Sequence, residues 1–186
     1  MRARASSPVR HQTIIVLYML RDKNLIPLSR QHHQALALCV RLDRAVRSGE
    51  VDLEAWQAEI QQQFESKIGL HFTAEENVLF PAAAGFPALQ PLIEQLLTEH
   101  AILRAYFARA GVRELDLQSL EDFGQKLAEH IRKEERQLFE GMQRVITSEQ
   151  MDALGAALDE ALKDVSQACA LPSEATKLRP RTISHS

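Results

Sequence analysis

The chain has 186 residues, of which 45% are hydrophobic and 25% charged, and its formal net charge is −3 at pH 7. This is the composition of one ordinary globular domain, long enough to bury a core. The slight acidic excess, without a basic stripe, argues against a nucleic-acid partner. The two cysteines, Cys39 and Cys169, form no CxxC motif, so we expect no disulfide framework and a cytoplasmic protein.

Residues 1–24 are predicted to be an N-terminal extension ahead of the folded domain. They contain an apolar run at 14–20, which is too short to span a bilayer. The run also lacks the small-residue cleavage site of a signal peptide, so we expect no association with a membrane. Met1 and Met19 can each start the protein, and the sequence leaves that choice open.

The first two helices are predicted from apolar residues at spacings of three, four and seven. The first covers about 27–47, because a proline suits its first turn and Ser48 with Gly49 stops it. The second covers about 52–80, since an aspartate at its start is a suitable N-cap. Pro81 is expected to end this second helix.

The third and fourth helices follow after a short loop. The third is predicted at about 88–110, with Gly111 as its cap. The fourth is predicted at about 119–146, where Asp122 forms a near capping box with the serine at the helix start. Both helices carry the same periodic apolar stripe as the first two, so each has one face to bury.

A fifth, shorter helix is predicted at about 148–165. Long amphipathic helices joined by short loops bury their stripes best side by side. We therefore predict an all-α fold: an up-and-down antiparallel four-helix bundle at 25–146, with an additional C-terminal helix at 147–168. The fifth helix is expected to pack on the outside of the bundle or to form a homodimer. Residues 169–186 are predicted to be a disordered tail.

One histidine interrupts the apolar stripe of each bundle helix, and the second and fourth helices add a glutamate one turn later. The six residues are His32, His71, Glu75, His100, His130 and Glu134. A spacing of four places histidine and glutamate on one helix face. Burying these groups without a positive partner is costly. Imidazole and carboxylate without thiolate suit iron or manganese, with zinc as a substitute.

The string His-x-x-x-Glu-Glu-x-x-Leu-Phe occurs twice, at 71–80 and at 130–139. Each copy follows a helix with one inward histidine, so we predict two similar halves related by a pseudo-two-fold axis. Because carboxylates can bridge cations, Glu75 and Glu134 are expected to hold two metal ions. With an oxo or hydroxo bridge, about two coordination positions stay open for a small ligand.

Several neighbouring residues stay open as alternatives. Glu76 and Glu135 lie five positions after their histidines, and we expect them to be solvated or to support the ligands. Either of them can instead replace its neighbour as a ligand. His33 is predicted to point outward or to support His32. Cys39 is expected to be a small core residue.

At these residues the chain resembles the hemerythrin family, specifically the bacterial hemerythrin-like HHE cation-binding domains, over about residues 25–145. The resemblance implies a four-helix bundle and a di-iron centre bridged by two carboxylates and an oxo group. It also implies binding of oxygen or related small ligands, and it implies the same six residues as ligands. Ferritin-like di-iron proteins use the reverse order, Glu-x-x-His, which argues against them.

Two features depart from the oxygen-carrying hemerythrins. Those proteins have a second histidine one turn after the third-helix histidine, where this chain has Arg104, so one ligand is missing. They also place the last carboxylate five residues after its histidine, which would select Glu135 over Glu134. The pattern is closer to iron-sensing and iron-centre-repair proteins, which pair histidine with glutamate at a spacing of four.

Two functions remain open on the sequence alone. The first is a non-haem di-iron binding protein that binds oxygen, nitric oxide or iron for sensing, buffering or storage, and that acts through an unknown protein partner. The second is a di-iron enzyme that acts on peroxide or nitric oxide, or that repairs iron centres under oxidative or nitrosative stress. A bundle whose polar core is only structural is the third reading.

Overall fold

The computed structural model describes residues 21–163 and 176–177. Within them the chain forms five long helices, packed as a bundle, and no strand. They are α1 Ile26–Ser48, α2 at 53–84, α3 Gln90–Gly111, α4 at 117–145 and α5 Ser148–Leu162. All five predicted helices are therefore present. The predicted extension up to residue 20, Cys169 and most of the predicted tail lie outside the described residues.

Helices α2 and α4 are each continuous but contain π-turns, in which one extra residue widens the helix. The π-turns are Phe64–Ile68 and Glu75–Leu79 in α2, and Glu134–Leu138 in α4. In each, the next residue donates its N–H to the carbonyl five positions earlier. Two of them begin at the glutamate of the repeated string, so the sequence repeat is also a repeat of backbone structure.

Pro81 does not end α2, contrary to the prediction. A proline inside a regular α-helix lacks the N–H and its ring clashes with the carbonyl four residues earlier. Here Pro81 lies in the first turn of the α-helical segment Phe80–Ala84, directly after the π-turn Glu75–Leu79. At a first turn the missing N–H costs little, so the helix continues to Ala84.

The ends of α3 and α4 also differ from the prediction. Gly111 is the last residue of α3, and the left-handed backbone conformation falls instead on Arg113, with φ 62°. Helix α4 begins earlier than expected because Asp116 is its N-cap. The Asp116 carboxylate accepts the N–H of Ser119 at 2.8 Å, which satisfies one of the free donors of the first turn.

The core consists of two apolar clusters. The first apolar cluster includes Leu25, Leu28, Leu79, Phe80, Ile93, Leu96, Leu138, Phe139 and Met142. The second apolar cluster includes Leu38, Leu42, Trp56, Ile60, Phe72, Leu103, Phe107, Phe123 and Leu127. In each of the first four helices, the histidine falls at the junction between the two clusters. The fold therefore positions the four histidines in one layer.

Helix α5 packs on the first apolar cluster. Its predicted stripe, Met151, Leu154, Leu158 and Leu162, is buried there. The predicted packing of this helix on the bundle is confirmed, and self-association through it stays a prediction. No helix among the described residues is both long and apolar enough to cross a lipid bilayer.

Gly155 lets α5 approach the segment before α1. A Cβ added at Gly155 would lie 2.8 Å from Asn24 Cβ and closer still to its amide. The Asn24 amide donates to Asp152 of the same helix at 2.9 Å. We expect Gly155→Ala to lower the free energy of unfolding by about 1–3 kcal/mol through overpacking, measured by urea denaturation.

The matched control for that variant is Gly111→Ala, at the end of α3. A Cβ there would meet only the Gln61 side chain, at 3.8 Å. Because alanine favours helix over glycine, this variant is expected to leave stability unchanged or to raise it by up to about 1 kcal/mol. Equal effects of the two variants would show that Gly155 does not permit a close approach.

Candidate metal centre

The six residues singled out in the sequence meet in the layer between the two apolar clusters. We call them the six-residue cluster: His32, His71, Glu75, His100, His130 and Glu134. Each is at most 5% exposed. Ligand atoms of His32, His71 and both glutamates lie within 4.8 Å of one another, and so do those of His100, His130 and both glutamates. The two groups share the two carboxylates.

Glu75 reaches both histidine pairs. Its Oε1 atom lies 3.0 Å from Nε2 of His71 and 3.6 Å from Nε2 of His32. Its Oε2 atom lies 3.4 Å from Nε2 of His100. One carboxylate oxygen therefore faces each pair.

Glu134 repeats this arrangement from α4. Its Oε2 atom lies 3.2 Å from Nε2 of His32. Its Oε1 atom lies 3.4 Å from Nε2 of His130 and 3.9 Å from Nε2 of His100. With Glu75, it gives each histidine pair two carboxylate oxygens, one from each glutamate. Carboxylates that bridge two cations have this arrangement.

Each imidazole directs its Nδ1 atom at an oxygen acceptor. The Nδ1 atom of His32 lies 2.7 Å from Glu135 Oε1, and that of His71 lies 2.6 Å from Gln31 Oε1. The Nδ1 atom of His100 lies 2.8 Å from Glu76 Oε1, and that of His130 lies 3.1 Å from Glu99 Oε2. Such an acceptor selects the tautomer in which Nδ1 carries the proton. The Nε2 atoms then turn lone pairs toward the centre of the cluster.

Those Nε2 atoms face each other in pairs. The two of His32 and His71 are 3.0 Å apart, and the two of His100 and His130 are 3.1 Å apart. Two lone pairs at this distance repel unless a cation or a shared proton lies between them. Two ligands about 2.1 Å from one ion, at a right angle, are about 3 Å apart, so the spacing suits a common ion.

The four acceptors occupy matching positions in the two halves of the domain. Glu76 and Glu135 each follow a buried glutamate and accept from the first histidine of the opposite half. Gln31 and Glu99 each precede a first histidine and accept from the second histidine of their own half. The contacts of Glu76 and Glu135 agree with the supporting role expected of them, whereas nothing in the repeated strings indicates Gln31 and Glu99. Each lies one residue before the first histidine of its half, and this shared position is the signal in the sequence that could have indicated them.

Three of the four acceptors are carboxylates that also contact a cation. Arg21 Nη2 donates to Glu135 at 2.7 Å, and Lys133 donates to Glu99. Both terminal nitrogens of Arg104 donate to Glu76, Nη2 at 3.1 Å. Arg104 thus occupies the position at which oxygen carriers are expected to have a ligand. Here it forms an ion pair with Glu76, the carboxylate that accepts from His100.

The crowded charges shift the pKa values of His32 and Glu75. Burial acts to lower the pKa of His32, but the surrounding carboxylates, Glu134 first, raise it well above its usual value. Burial acts to raise the pKa of Glu75, but the nearby imidazoles, His71 first, lower it well below its usual range. Glu75 is therefore held as a carboxylate, the form that binds a cation, and a bound cation would displace the extra proton from His32.

Four buried oxygens of the cluster, both carboxylate oxygens of Glu75 and both of Glu134, make no hydrogen bond. An uncompensated buried carboxylate costs several kcal/mol. Nitrogen and oxygen donors without sulfur suit iron, manganese or zinc. By these tests the residues fit a pair of divalent or trivalent cations.

Comparison with known proteins agrees with this chemistry. The sequence model of the family described as hemerythrin HHE cation binding domain matches residues 27–142. The chain belongs to this family. The match covers the segments of α1 to α4 that supply the six-residue cluster, and it confirms the resemblance inferred from the repeated strings. No curated protein and no solved structure matches the chain.

A narrow cleft between α1, α2 and α4 leads from the surface to the cluster of this HHE domain. We call it the entry cleft. Its free volume is ≈ 20 Å³, which suits a water molecule or a diatomic ligand. Its lining consists of four polar residues, five apolar residues and four members of the cluster: Gln31, Gln34, Gln63, Lys67, Ala35, Ile68, Phe72, Leu127, Ile131, His32, His71, His130 and Glu134.

The remaining candidate residues lie apart from the cluster of the HHE domain. His33 is exposed on α1, in keeping with the prediction that it points outward. Cys39 is buried in the second apolar cluster, as expected of a core residue.

Cys39 is expected to be chemically inert. Burial raises the pKa of its thiol to about 12, and the thiolate is the reactive form. At pH 8 we expect iodoacetamide to modify Cys39 at least about 100-fold more slowly in the folded protein than in urea. Mass spectrometry of the peptide that contains Cys39 measures both rates. Similar rates in the two states would contradict the burial of this thiol.

Proposed function

We propose that this HHE domain holds two iron ions, with manganese or zinc as substitutes, and binds oxygen or nitric oxide at them for sensing or buffering. The observation that carries the proposal is that each of the two shared carboxylates offers one oxygen to each histidine pair. Iron storage is a related use of the same site.

In this proposal all six residues of the cluster are ligands. Each histidine pair, with one oxygen from each glutamate, would hold one ion. With an oxo or hydroxo bridge, the two ions would supply about two open coordination positions for a small ligand. Glu76 and Glu135 orient imidazoles and are not ligands, which is supported by their contacts with Nδ1 of His100 and His32.

We also propose that helices α1 to α4 form an up-and-down antiparallel bundle. Helix α1 runs from the first apolar cluster to the second, and α2 returns from the second to the first. Helices α3 and α4 repeat that alternation. This order supports antiparallel neighbours, as short connections require.

The entry cleft supports binding rather than catalysis. Apart from the Gln31 amide, which contacts His71, the buried part of its lining outside the cluster is apolar, with Phe72, Ile68 and Ile131 among it. Apart from members of the six-residue cluster, the ionisable residue among those that line the entry cleft is Lys67. Catalysis with peroxide needs a group that delivers protons near the reacting oxygen, whereas reversible binding of a small neutral ligand needs only access and an apolar surrounding. The cytoplasmic location and a protein partner stay predictions.

Optical spectra of the iron-reconstituted protein test this function. We expect oxo-to-iron absorption in air, its loss with dithionite, and its return or a new band on exposure to oxygen, nitric oxide or azide. Reversible cycles without consumption of the ligand support a binder. Sustained turnover of peroxide or nitric oxide would support the enzyme alternative, and spectra that respond to none of these ligands would overturn both.

A further inference from the structure

The two halves of the domain differ at one of the four imidazole acceptors. Glu99 precedes His100 and accepts from His130, and at the matching position Gln31 precedes His32 and accepts from His71. The Gln31 contact is short, at 2.6 Å. One half thus has a neutral amide where the other has a carboxylate.

A charged acceptor strengthens an imidazole as a ligand. When Nδ1–H donates to a carboxylate, electron density rises at Nε2, and the metal–nitrogen bond gains strength. An amide oxygen polarises the ring less. The Glu99 carboxylate also accepts from the Lys133 ammonium, and a cation in contact with a carboxylate favours its charged form. Of the four imidazoles, His71 therefore has the weakest support.

This difference is not shared equally between the two ion positions. The pair His32 and His71 has one imidazole backed by a carboxylate, whereas the pair His100 and His130 has two. The entry cleft adds a second, geometric difference. Its lining includes both histidines of the first pair and only His130 of the second, so water reaches the first pair more directly.

We propose that Gln31 makes the two ion positions unequal, so that the ion between His32 and His71 is held more weakly and leaves first. The proposal rests on the proposed function in one respect, the binding of two ions. Gln31 acts in it as a positioning residue that works through His71. The consequence is that the site exchanges metal one ion at a time, from the side of the entry cleft.

Release of Zn²⁺ from the fully loaded protein to excess coloured chelator tests the proposal. We expect two phases of equal amplitude, with rates that differ by about 10- to 100-fold, the usual effect of an outer-shell partner. Gln31→Glu is expected to slow the fast phase by about 10-fold or more. Glu99→Gln is expected to accelerate the slow phase by a similar factor.

Gln62→Glu is the matched control. It makes the same chemical change at an exposed position of α2, and both phases are expected to stay as in the unaltered protein. Release of both ions in one phase, or a fast phase that Gln31→Glu leaves unchanged, would overturn the inference while the binding of two ions stands. Failure to load two ions would instead overturn the proposed function.

Discussion

Replacing Glu75 or Glu134 with alanine is expected to abolish binding of the metal pair. Each carboxylate faces both histidine pairs, so either change removes one ligand from both ions at once. Loss of one supporting group alone costs about 10- to 100-fold in metal affinity, and loss of a shared ligand is expected to cost more for each ion. Metal analysis after gel filtration measures the loss as a fall from two ions per chain to one or none.

The control for this result is Glu65→Ala, an exposed glutamate on the same helix as Glu75. It removes the same side chain far from the buried layer and is expected to leave two ions bound. Circular dichroism confirms that each variant remains helical. Retention of two ions and an unchanged spectrum by Glu75→Ala would show that this carboxylate is not a ligand.

His32→Ala is expected to weaken metal binding by at least about 10- to 100-fold, whereas His33→Ala should have no effect. His32 is 2% exposed, and its Nε2 lies 3.2 Å from Glu134 and 3.0 Å from Nε2 of His71. His33, the next residue on α1, is exposed.

The two neighbouring variants serve as controls for each other, because each removes one imidazole from the same helical turn. Equilibrium titration with Fe²⁺ under anaerobic conditions gives both affinities. A larger loss from His33→Ala than from His32→Ala would mean that α1 presents a different face to the bundle.

The helices and the six-residue cluster could be predicted because both depend on short-range periodicity. A histidine four residues before a glutamate lies on the same helix face whatever the rest of the fold does. Apolar residues around His71 and His130 then indicate that this face is buried. The repetition of the string fixes which histidines belong together, so the layer follows from sequence alone.

The π-turns could not be predicted, because one extra residue in a turn does not visibly disturb an apolar stripe of 3.6-residue period. Pro81 was therefore expected to end α2, although the preceding π-turn lets the helix continue. The acceptors Gln31 and Glu99 were missed for another reason. Polar residues next to buried ones usually face solvent, and only the packing of α1 on α2 and of α3 on α4 brings these two to a partner imidazole.

Anomalous X-ray diffraction from crystals of the iron-loaded protein tests the central claim most directly. We predict two iron peaks in the layer between the two apolar clusters, one beside each histidine pair, with both shared glutamates in contact with both ions. A single peak in that layer, or iron found only at surface histidines, would contradict the account.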